Sequence, residues 1–297
     1  MGALTQRHLF HLVNPSPWPL VTSLGSLGLT IGAVGYFHSF INGGLNSFYG
    51  FLIVAITASI WWRDVIRESL FEGFHTTPVQ QGMKLGMLLF ILSEVMFFSS
   101  FFWAFFHASL AASIELGGIW PPKFINALDP WGVPLLNTVV LVFSGASITW
   151  SHHALLLNFR DQVDFSFRVT ILWAVLFTLL QLCEYVEATF SISDSVYGST
   201  FFMATGFHGF HVIVGTIFIF VSYIRFINYH FSSSHHIGFE SSAWYWHFVD
   251  VVWLFLFISI YWWGNKNCFI SFIGDNKTFV TDVRELTGYE PSLLGGY

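Results

Sequence analysis

Long apolar runs alternate with short polar patches along the whole chain. A helix needs about 20 apolar residues to cross the hydrocarbon core of a membrane, and most of the runs reach that length. We therefore predict a transmembrane helix in each of seven runs, which makes the chain an all-α, polytopic membrane protein with its termini on opposite sides. The predicted spans are 19–40, 48–62, 80–107, 133–157, 169–187, 198–226 and 242–263.

The third predicted span carries an ionisable residue, Glu94, near its centre. The side chains three, four and seven positions away are apolar, so no residue on the same helical face can pair with the carboxyl group. The neighbours checked are Met87, Phe90, Ile91, Phe97, Phe98 and Phe101. Any partner must therefore come from another helix. Among apolar side chains the neutral, protonated acid is favoured, and such an acid can store or pass a proton or donate one hydrogen bond to another helix. An ionisable group inside a membrane span marks a candidate functional site.

The composition agrees with a membrane protein and excludes other classes. Hydrophobic residues make up 54% of the 297 residues and charged residues only 9%, whereas charged residues are about 25% of an average soluble protein. No basic stripe suited to a phosphate backbone occurs, so we expect no nucleic-acid partner. The two cysteines, Cys183 and Cys268, offer neither a disulfide framework nor the spacing of metal ligands.

The basic residues between the spans predict the orientation of the chain. Seven of them lie on the N-terminal side, whereas the opposite side carries only Lys123 before the C-terminal tail. The seven are Arg7, Arg63, Arg67, Lys84, Arg160, Arg168 and Arg225. Because lysine and arginine favour the inner side, we expect the N-terminus inside, in the cytoplasm or the mitochondrial matrix.

Thirteen histidines raise the question of a metal site. His208 and His211 lie one helical turn apart and could face one site. The adjacent pairs 152–153 and 235–236 are unsuited to chelation within a pair, because neighbouring side chains on a helix diverge by about 100°. Repeated HxxHH or HxxxH blocks do not occur. We therefore expect no metal ligands in this chain and explain the histidines by contacts between helices.

Four further acidic residues lie in or near the spans, namely Glu184, Glu187, Glu240 and Asp250. Glu184 and Glu187 come at the end of the fifth span, and we expect both carboxylates to reach water outside the membrane. Asp250 follows His247 or Trp246 by about one helical turn, so the spacing allows a contact between His247 and Asp250 within that helix. For Asp250 we therefore favour a paired, structural role.

The segment 63–77 is the most charged stretch before the tail, and its sequence allows two interpretations. Its charged side chains could simply be solvated in a loop on the inner side. Alternatively, its basic side chains, which follow the tryptophans Trp61 and Trp62 at the predicted membrane interface, could hold a lipid phosphate. The residues alone leave both alternatives open.

Several motifs occur in an order that resembles one protein family. They are 11–19 (HLVNPSPWP), 61–68 (WWRDVIRE), 91–98 (ILSEVMFF), 117–122 (GGIWPP), 191–202 (SISDSVYGSTFF), 204–211 (ATGFHGFH) and 244–253 (WYWHFVDVVW). Together they closely resemble cytochrome c oxidase subunit III of the mitochondrial type. The resemblance covers about residues 7–264 without an evident gap.

The resemblance implies a grouping of the helices. The first two lean away from the other five and leave a cleft that holds phospholipids. The chain is accordingly divided into an inside N-terminal segment (1–18), helices one and two (19–66), helices three to seven (67–264) and an outside C-terminal extension (265–297). Family members usually end near the position of Gly264, so the extension is additional, and we expect it to contact a lineage-specific subunit.

The resemblance also implies a function. The chain would be a non-catalytic subunit of the respiratory terminal oxidase, complex IV, which reduces oxygen to water and pumps protons across the mitochondrial inner membrane. Such a subunit holds no haem or copper itself, because partner subunits carry them, and it supports complex stability, proton uptake and the access of lipid and oxygen. The N-terminus would lie in the matrix and the C-terminus in the intermembrane space.

The implied partners are protein subunits and lipids. They include oxidase subunits I and II, accessory subunits, and structural phospholipids such as cardiolipin, phosphatidylethanolamine or phosphatidylglycerol. Membership of a respiratory supercomplex is a further expectation for an oxidase of this type. The family implies no cofactor bound by this chain other than such phospholipids.

The site residues of the family map onto this sequence where its motifs match. Glu94 corresponds to the buried glutamate that the family relates to protons. The implied lipid-binding residues are Trp62, Arg67, Glu68 and His75, with His208, Arg225 and Phe226 on the opposite wall of the cleft. The resemblance implies no catalytic residue and no metal ligand.

Two other classes of function are compatible with parts of the sequence. A stand-alone proton-coupled transporter could use Glu94 as its proton-binding group, and it would function without haem-bearing partners. A histidine-box membrane oxygenase would need closely spaced histidine blocks, which the sequence lacks, so this class is disfavoured. Co-purification with other subunits distinguishes the transporter from the oxidase subunit.

Overall fold

The computed structural model describes residues 8–123 and 125–265. Within them, seven helices are long and apolar enough to cross a membrane, and no strand occurs. They are α1 (Trp18–Phe37), α2 (Gly43–Leu70), α3 (Thr77–Leu110), α4 (Val133–Leu156), α5 (Arg160–Glu187), α6 (Ser195–Ile227) and α7 (Ile237–Leu256), which continues as π-helical turns over Phe257–Trp263. The prediction of an all-α protein with seven spans is confirmed. The expectations for residues 1–7, Cys268 and the extension from 266 onward lie outside the described residues.

The charged segment after the second predicted span is helical. That span was expected to end near residue 62, but α2 continues to Leu70 and carries Arg63, Asp64, Arg67 and Glu68 on its last turns. Residues 63–70 are therefore helical rather than a loop, and the choice between solvated charges and a lipid phosphate site stays open. The physical reason for the longer helix is that charges end an apolar run but do not end a helix, since arginine and glutamate are good helix formers.

The chain divides into two compact units, 1–87 and 88–297, each described by itself below. Apolar side chains such as Leu24, Leu89 and Phe210 are exposed on the outer faces of the helices, as expected for surfaces in contact with lipid. The division of the spans into a group of two and a group of five stays a prediction.

In the first unit, α1 and α2 pack closely through glycines. A Cβ atom added to Gly32 would lie 2.2 Å from the backbone nitrogen of Ser47, and one added to Gly50 would lie 2.2 Å from that of Leu29. Only residues without a side chain allow the two backbones to approach so closely. Because hydrocarbon gives no hydrophobic drive for association between spans, such close packing is what holds the helix pair together.

In the second unit, hydroxyl groups join α4 to α5. The Oγ atoms of Ser147 and Thr170 are 2.7 Å apart, and Ser151 donates a hydrogen bond of 2.7 Å to Ser166. From Ser147 to Ser151 the chain advances four residues on α4, whereas their partners, Thr170 and Ser166, go back four residues on α5. The two helices are therefore antiparallel. Each such hydrogen bond between membrane helices contributes about 1 kcal/mol.

Two buried tryptophans fix α7 against α4. The rings of Trp246 and Trp253 are fully buried. Their indole N–H groups donate hydrogen bonds of 2.9 Å to the Oγ of Ser144 and the Oγ1 of Thr138. Because a buried indole needs an acceptor, the two bonds set both the position and the rotation of α7 relative to α4.

We predict that Gly32→Ala destabilises the α1–α2 pair, whereas Gly28→Ala does not. The new methyl at position 32 would overlap the backbone at Ser47, while at position 28 the nearest atom, the Cα of Gly50, is 3.8 Å from the added Cβ. Overpacking of this kind costs about 1–3 kcal/mol. Thermal unfolding of the purified protein in mild detergent measures the difference, and equal melting temperatures for the two variants would contradict the close-packing argument.

Candidate functional site

Glu94 of α3 pairs with His211 of α6. The Oε2 atom of Glu94 lies 2.9 Å from the Nε2 atom of His211. The imidazole side chain is 8% exposed and the carboxyl side chain 21%. The expectation that the partner of Glu94 comes from another helix is confirmed, and this partner, His211, is one of the two histidines whose spacing allowed a metal site.

The hydrogen bonds of His211 show that this pair shares one proton. The Nδ1 atom of His211 is 2.6 Å from the carbonyl oxygen of Phe207, which can only accept, so Nδ1–H is the donor. The contact between Nε2 and the Glu94 carboxyl therefore needs one further proton. That proton lies either on Oε2, giving an acid and a neutral imidazole, or on Nε2, giving an ion pair. Both arrangements leave the pair with no net charge.

Aromatic rings surround the pair on several sides. The ring centroid of Phe98 lies 5.0 Å from that of His211, and Tyr245 stacks on the imidazole with the centroids 6.3 Å apart. Phe248, on α7, approaches the imidazole edge-on. Apolar surroundings of this kind strengthen the hydrogen bond and make an unpaired charge costly, so the proton between Glu94 and His211 is essential to the stability of the pair.

His208 lies one turn before His211 but has a different environment. It is 1% exposed, and its Nε2–H donates to the carbonyl oxygen of Val249 at 3.1 Å. Its ring packs against Phe177 and Trp253. The two histidines therefore do not converge on one site, because the ring of His208 is directed to α7 and that of His211 to α3.

A second buried carboxylate lies near the end of α5. Glu184 is 2% exposed, accepts a hydrogen bond of 2.5 Å from the Tyr261 hydroxyl and another of 3.1 Å from the Gln181 amide. The prediction that Glu184 reaches water is wrong, because its face of α5 is directed into the bundle, whereas Glu187 is exposed as expected. Gln181 lies one helical turn before Glu184. This second polar residue on the same face of α5 could have indicated from the sequence that the face is buried and polar.

The expected pairing of His247 with Asp250 is also wrong. The Nε2–H of His247 donates to the Oγ1 atom of Thr149, 3.2 Å away on α4, since the hydroxyl proton of Thr149 is used in a bond to the Gly145 carbonyl. No hydrogen bond joins His247 to Asp250 in the described part of the chain. Helical spacing allowed that contact, but an acceptor on the neighbouring helix competes for the imidazole.

The first four predicted lipid-binding residues lie around the end of α2. Trp62 is 67% exposed, and the guanidinium of Arg67 is exposed and makes no hydrogen bond or ion pair with other described residues. Arg63, by contrast, pairs with Asp64 at 2.8 Å. Glu68 lies on the same turns, and His75 follows in the connection to α3.

The other three predicted lipid-binding residues lie on α6. His208 is enclosed as described, and Phe226 is 3% exposed beneath the guanidinium of Arg160, whose Cζ is 4.4 Å from the ring centroid. Arg225 stacks on the ring of Phe231 at 4.5 Å. Arg225 is partly buried, whereas His208 and Phe226 are buried.

Comparison with known proteins gives one consistent result. The model of the family described as cytochrome c oxidase subunit III matches residues 8–265. The chain is 59% identical to cytochrome c oxidase subunit 3 of Marchantia polymorpha over 264 residues, which cover 89% of this chain and 100% of the relative. It is 59% identical to the protein of the same name from Prototheca wickerhamii over 87% of this chain and 99% of the relative. For the Arabidopsis thaliana protein the identity is 57%, over 88% and 98%.

Proposed function

The chain belongs to the cytochrome c oxidase subunit III family, and we propose that it serves the oxidase as a non-redox subunit that supports another chain's chemistry. As a member of this family it is a subunit of an oxidoreductase complex, a multi-pass protein of the mitochondrial inner membrane, and a partner of other oxidase subunits. The family match over residues 8–265 carries this conclusion. Family membership also implies that the chain holds no catalytic cofactor.

The geometry supports the finer proposal that haem and copper belong to partner subunits. Nε2 of His211 bonds to Oε2 of Glu94, its Nδ1–H bonds to the Phe207 carbonyl, and Nε2–H of His208 bonds to the backbone of α7. These groups are engaged in contacts between helices, so they stabilise the bundle rather than present a set of ligands to a redox cofactor. We propose subunits I and II, with accessory subunits, as the partners, within a complex that reduces oxygen and pumps protons.

The Glu94–His211 pair is our candidate for the contribution to proton uptake. The pair holds one proton between two atoms 2.9 Å apart, so a proton can move from the carboxyl to the imidazole without a large rearrangement. The excess of basic residues on one side supports a further proposal, that the N-terminus lies in the matrix and the C-terminus in the intermembrane space.

The end of α2 is our candidate for a phospholipid headgroup site. Arg67 presents an exposed cation to a phosphate, and the exposed ring of Trp62 suits the interface between hydrocarbon and water. Glu68 and His75 would contact the amine or hydroxyl groups of cardiolipin, phosphatidylethanolamine or phosphatidylglycerol. Of the three predicted lipid-binding residues on α6, we propose only Arg225 as a lipid contact, because His208 and Phe226 are buried within the second unit.

We predict that this chain, affinity-tagged and extracted in mild detergent, co-purifies with haem-bearing subunits. The expected result is a haem absorption spectrum and additional subunits in a fixed ratio to the tagged chain. A tagged, unrelated multi-pass protein of the same membrane controls for bystander proteins. Isolation of the folded chain alone, without haem, would contradict the oxidase proposal and favour the stand-alone transporter that uses Glu94.

We predict that Glu94→Gln retains assembly but slows proton uptake or hastens inactivation during turnover. The glutamine amide can still donate to Nε2 of His211, but it cannot exchange a proton. Glu187→Gln, at an exposed carboxylate on α5, is the matched control and should resemble the unchanged protein. Proton uptake and activity decay in the purified oxidase provide the measurements.

Two results would change the role of Glu94. Unaltered proton uptake and inactivation in the Glu94→Gln oxidase would exclude a proton-related role. Loss of assembly in the same variant would make Glu94 a structural partner of His211. Glu94→Ala shows the effect of losing the hydrogen bond altogether. It leaves the buried imidazole of His211 unsatisfied and should cost about 1–3 kcal/mol of stability.

We predict that Arg67→Gln lowers the amount of phospholipid that co-purifies with the oxidase, and that Arg63→Gln lowers it less. Within the described residues the Arg67 side chain makes no hydrogen bond or ion pair, whereas Arg63 is already paired with Asp64. One basic contact to a headgroup is worth about 1 kcal/mol, or about fivefold in affinity. Lipid mass spectrometry of the purified variants measures the change, and equal lipid content in both would exclude a headgroup site at Arg67.

A further inference from the structure

Two histidines and one glutamate that the proposed function does not use meet at one end of the second unit. His152 lies near the end of α4, His236 directly precedes α7, and Glu240 lies in the first turn of α7. One ligand atom from each residue lies within 4.8 Å of those of the other two. His236 is 6% exposed, so the cluster is anchored by a buried imidazole.

Two of the three ligand separations in this cluster match the edges of a metal coordination tetrahedron. Zinc binds imidazole nitrogen at about 2.0–2.1 Å, and two ligands of a tetrahedral ion at that distance are separated by about 3.3–3.4 Å. The Nε2 atoms of His152 and His236 are 3.3 Å apart. The Nε2 atom of His236 and the Oε1 atom of Glu240 are 3.4 Å apart. Both separations therefore allow an ion to bind with little movement of the side chains.

The hydrogen bonding of His236 also prepares its Nε2 atom to bind a metal. Its Nδ1 atom lies 2.9 Å from the carbonyl oxygen of Ser232, so Nδ1–H is the donor. In the neutral imidazole the lone pair is then on Nε2, the atom that faces His152 and Glu240. Metal-ligating histidines commonly donate their other N–H to a backbone carbonyl in this way, which fixes the ring orientation.

The cluster is built on well-supported elements. A short turn, in which the backbones of Ser232 and His235 exchange two hydrogen bonds, precedes His236 and holds the carbonyl that orients its ring. The ring of His152 packs edge-on against Phe239 of α7, with the centroids 5.7 Å apart. The ligands are thus positioned by the packing of α4 on α7 before any ion binds, which lowers the ordering cost of binding.

We propose that His152, His236 and Glu240 bind a zinc ion, with a water molecule as the fourth ligand. The nitrogen and carboxylate donors suit zinc, and three protein ligands leave one position open. The ion would tie the end of α4 to the start of α7 on the side where we place the matrix. The expectation of no metal ligand considered the adjacent histidines of each pair together, whereas the proposed site takes one histidine from each pair.

The test measures zinc bound to the purified oxidase that contains this chain. The complex is treated with a chelator and then equilibrated with buffered Zn²⁺, and zinc per complex is counted by metal mass spectrometry. We expect the unchanged oxidase to bind one more zinc than the His236→Asn variant. His153→Asn is the matched control, because His153 is the exposed neighbour of His152 and lies outside the cluster. Equal zinc counts in the unchanged and His236→Asn complexes would overturn the proposal.

Two further measurements keep the test decisive if His236→Asn fails to assemble. Glu240→Gln retains the size of the side chain but removes the charged ligand. Since loss of an outer partner of a metal ligand costs about 10–100-fold in affinity, loss of the ligand itself should cost at least that much. Anomalous X-ray scattering at the zinc edge from zinc-equilibrated crystals of the unchanged oxidase should place a peak among the three ligand atoms. Unaltered zinc affinity in Glu240→Gln, or no such peak, would overturn the proposal.

Discussion

Hydrocarbon offers no hydrogen-bond partner, so a polar side chain on a membrane span is stabilised when it finds a partner within the protein. This constraint explains the central contacts of the second unit. The carboxyl of Glu94 meets His211, the carboxyl of Glu184 meets Tyr261, and the indole of Trp246 meets Ser144. Each contact joins two helices that are separate in the sequence. The polar residues thus determine which helix faces lie against each other.

The two units satisfy the demands of packing differently. In the first unit, glycines such as Gly32 and Gly50 let α1 and α2 approach until their backbones touch, and dispersion over that close contact holds the pair. In the second unit, hydroxyl pairs such as Ser147 with Thr170 combine with large buried aromatic rings. The spans have no hydrophobic drive to associate. Close contact at glycines holds the helices of the first unit together, whereas hydroxyl pairs and buried aromatic rings hold those of the second.

The same constraint connects the structure to its proposed roles. A lone buried charge is costly, so Glu94 and His211 keep one proton between them, and for this reason we propose the pair for proton uptake. At one end of the second unit, where α4 and α7 meet, three potential metal-ligand atoms come together, from His152, His236 and Glu240. Arg67 differs from these buried groups, since its side chain is exposed at the end of α2, and we propose that it binds a lipid phosphate there.

The sequence by itself determined the seven spans, their order and the family, because an apolar run of the right length and a series of ordered motifs are local properties of the chain. It also determined that any partner of Glu94 must come from another helix. Only the tertiary structure decided that this partner is His211, that Glu184 faces inward, and that His247 bonds to Thr149 rather than pairing with Asp250. These outcomes depend on how each helix is rotated about its axis, and that rotation is set by packing between spans far apart in the sequence.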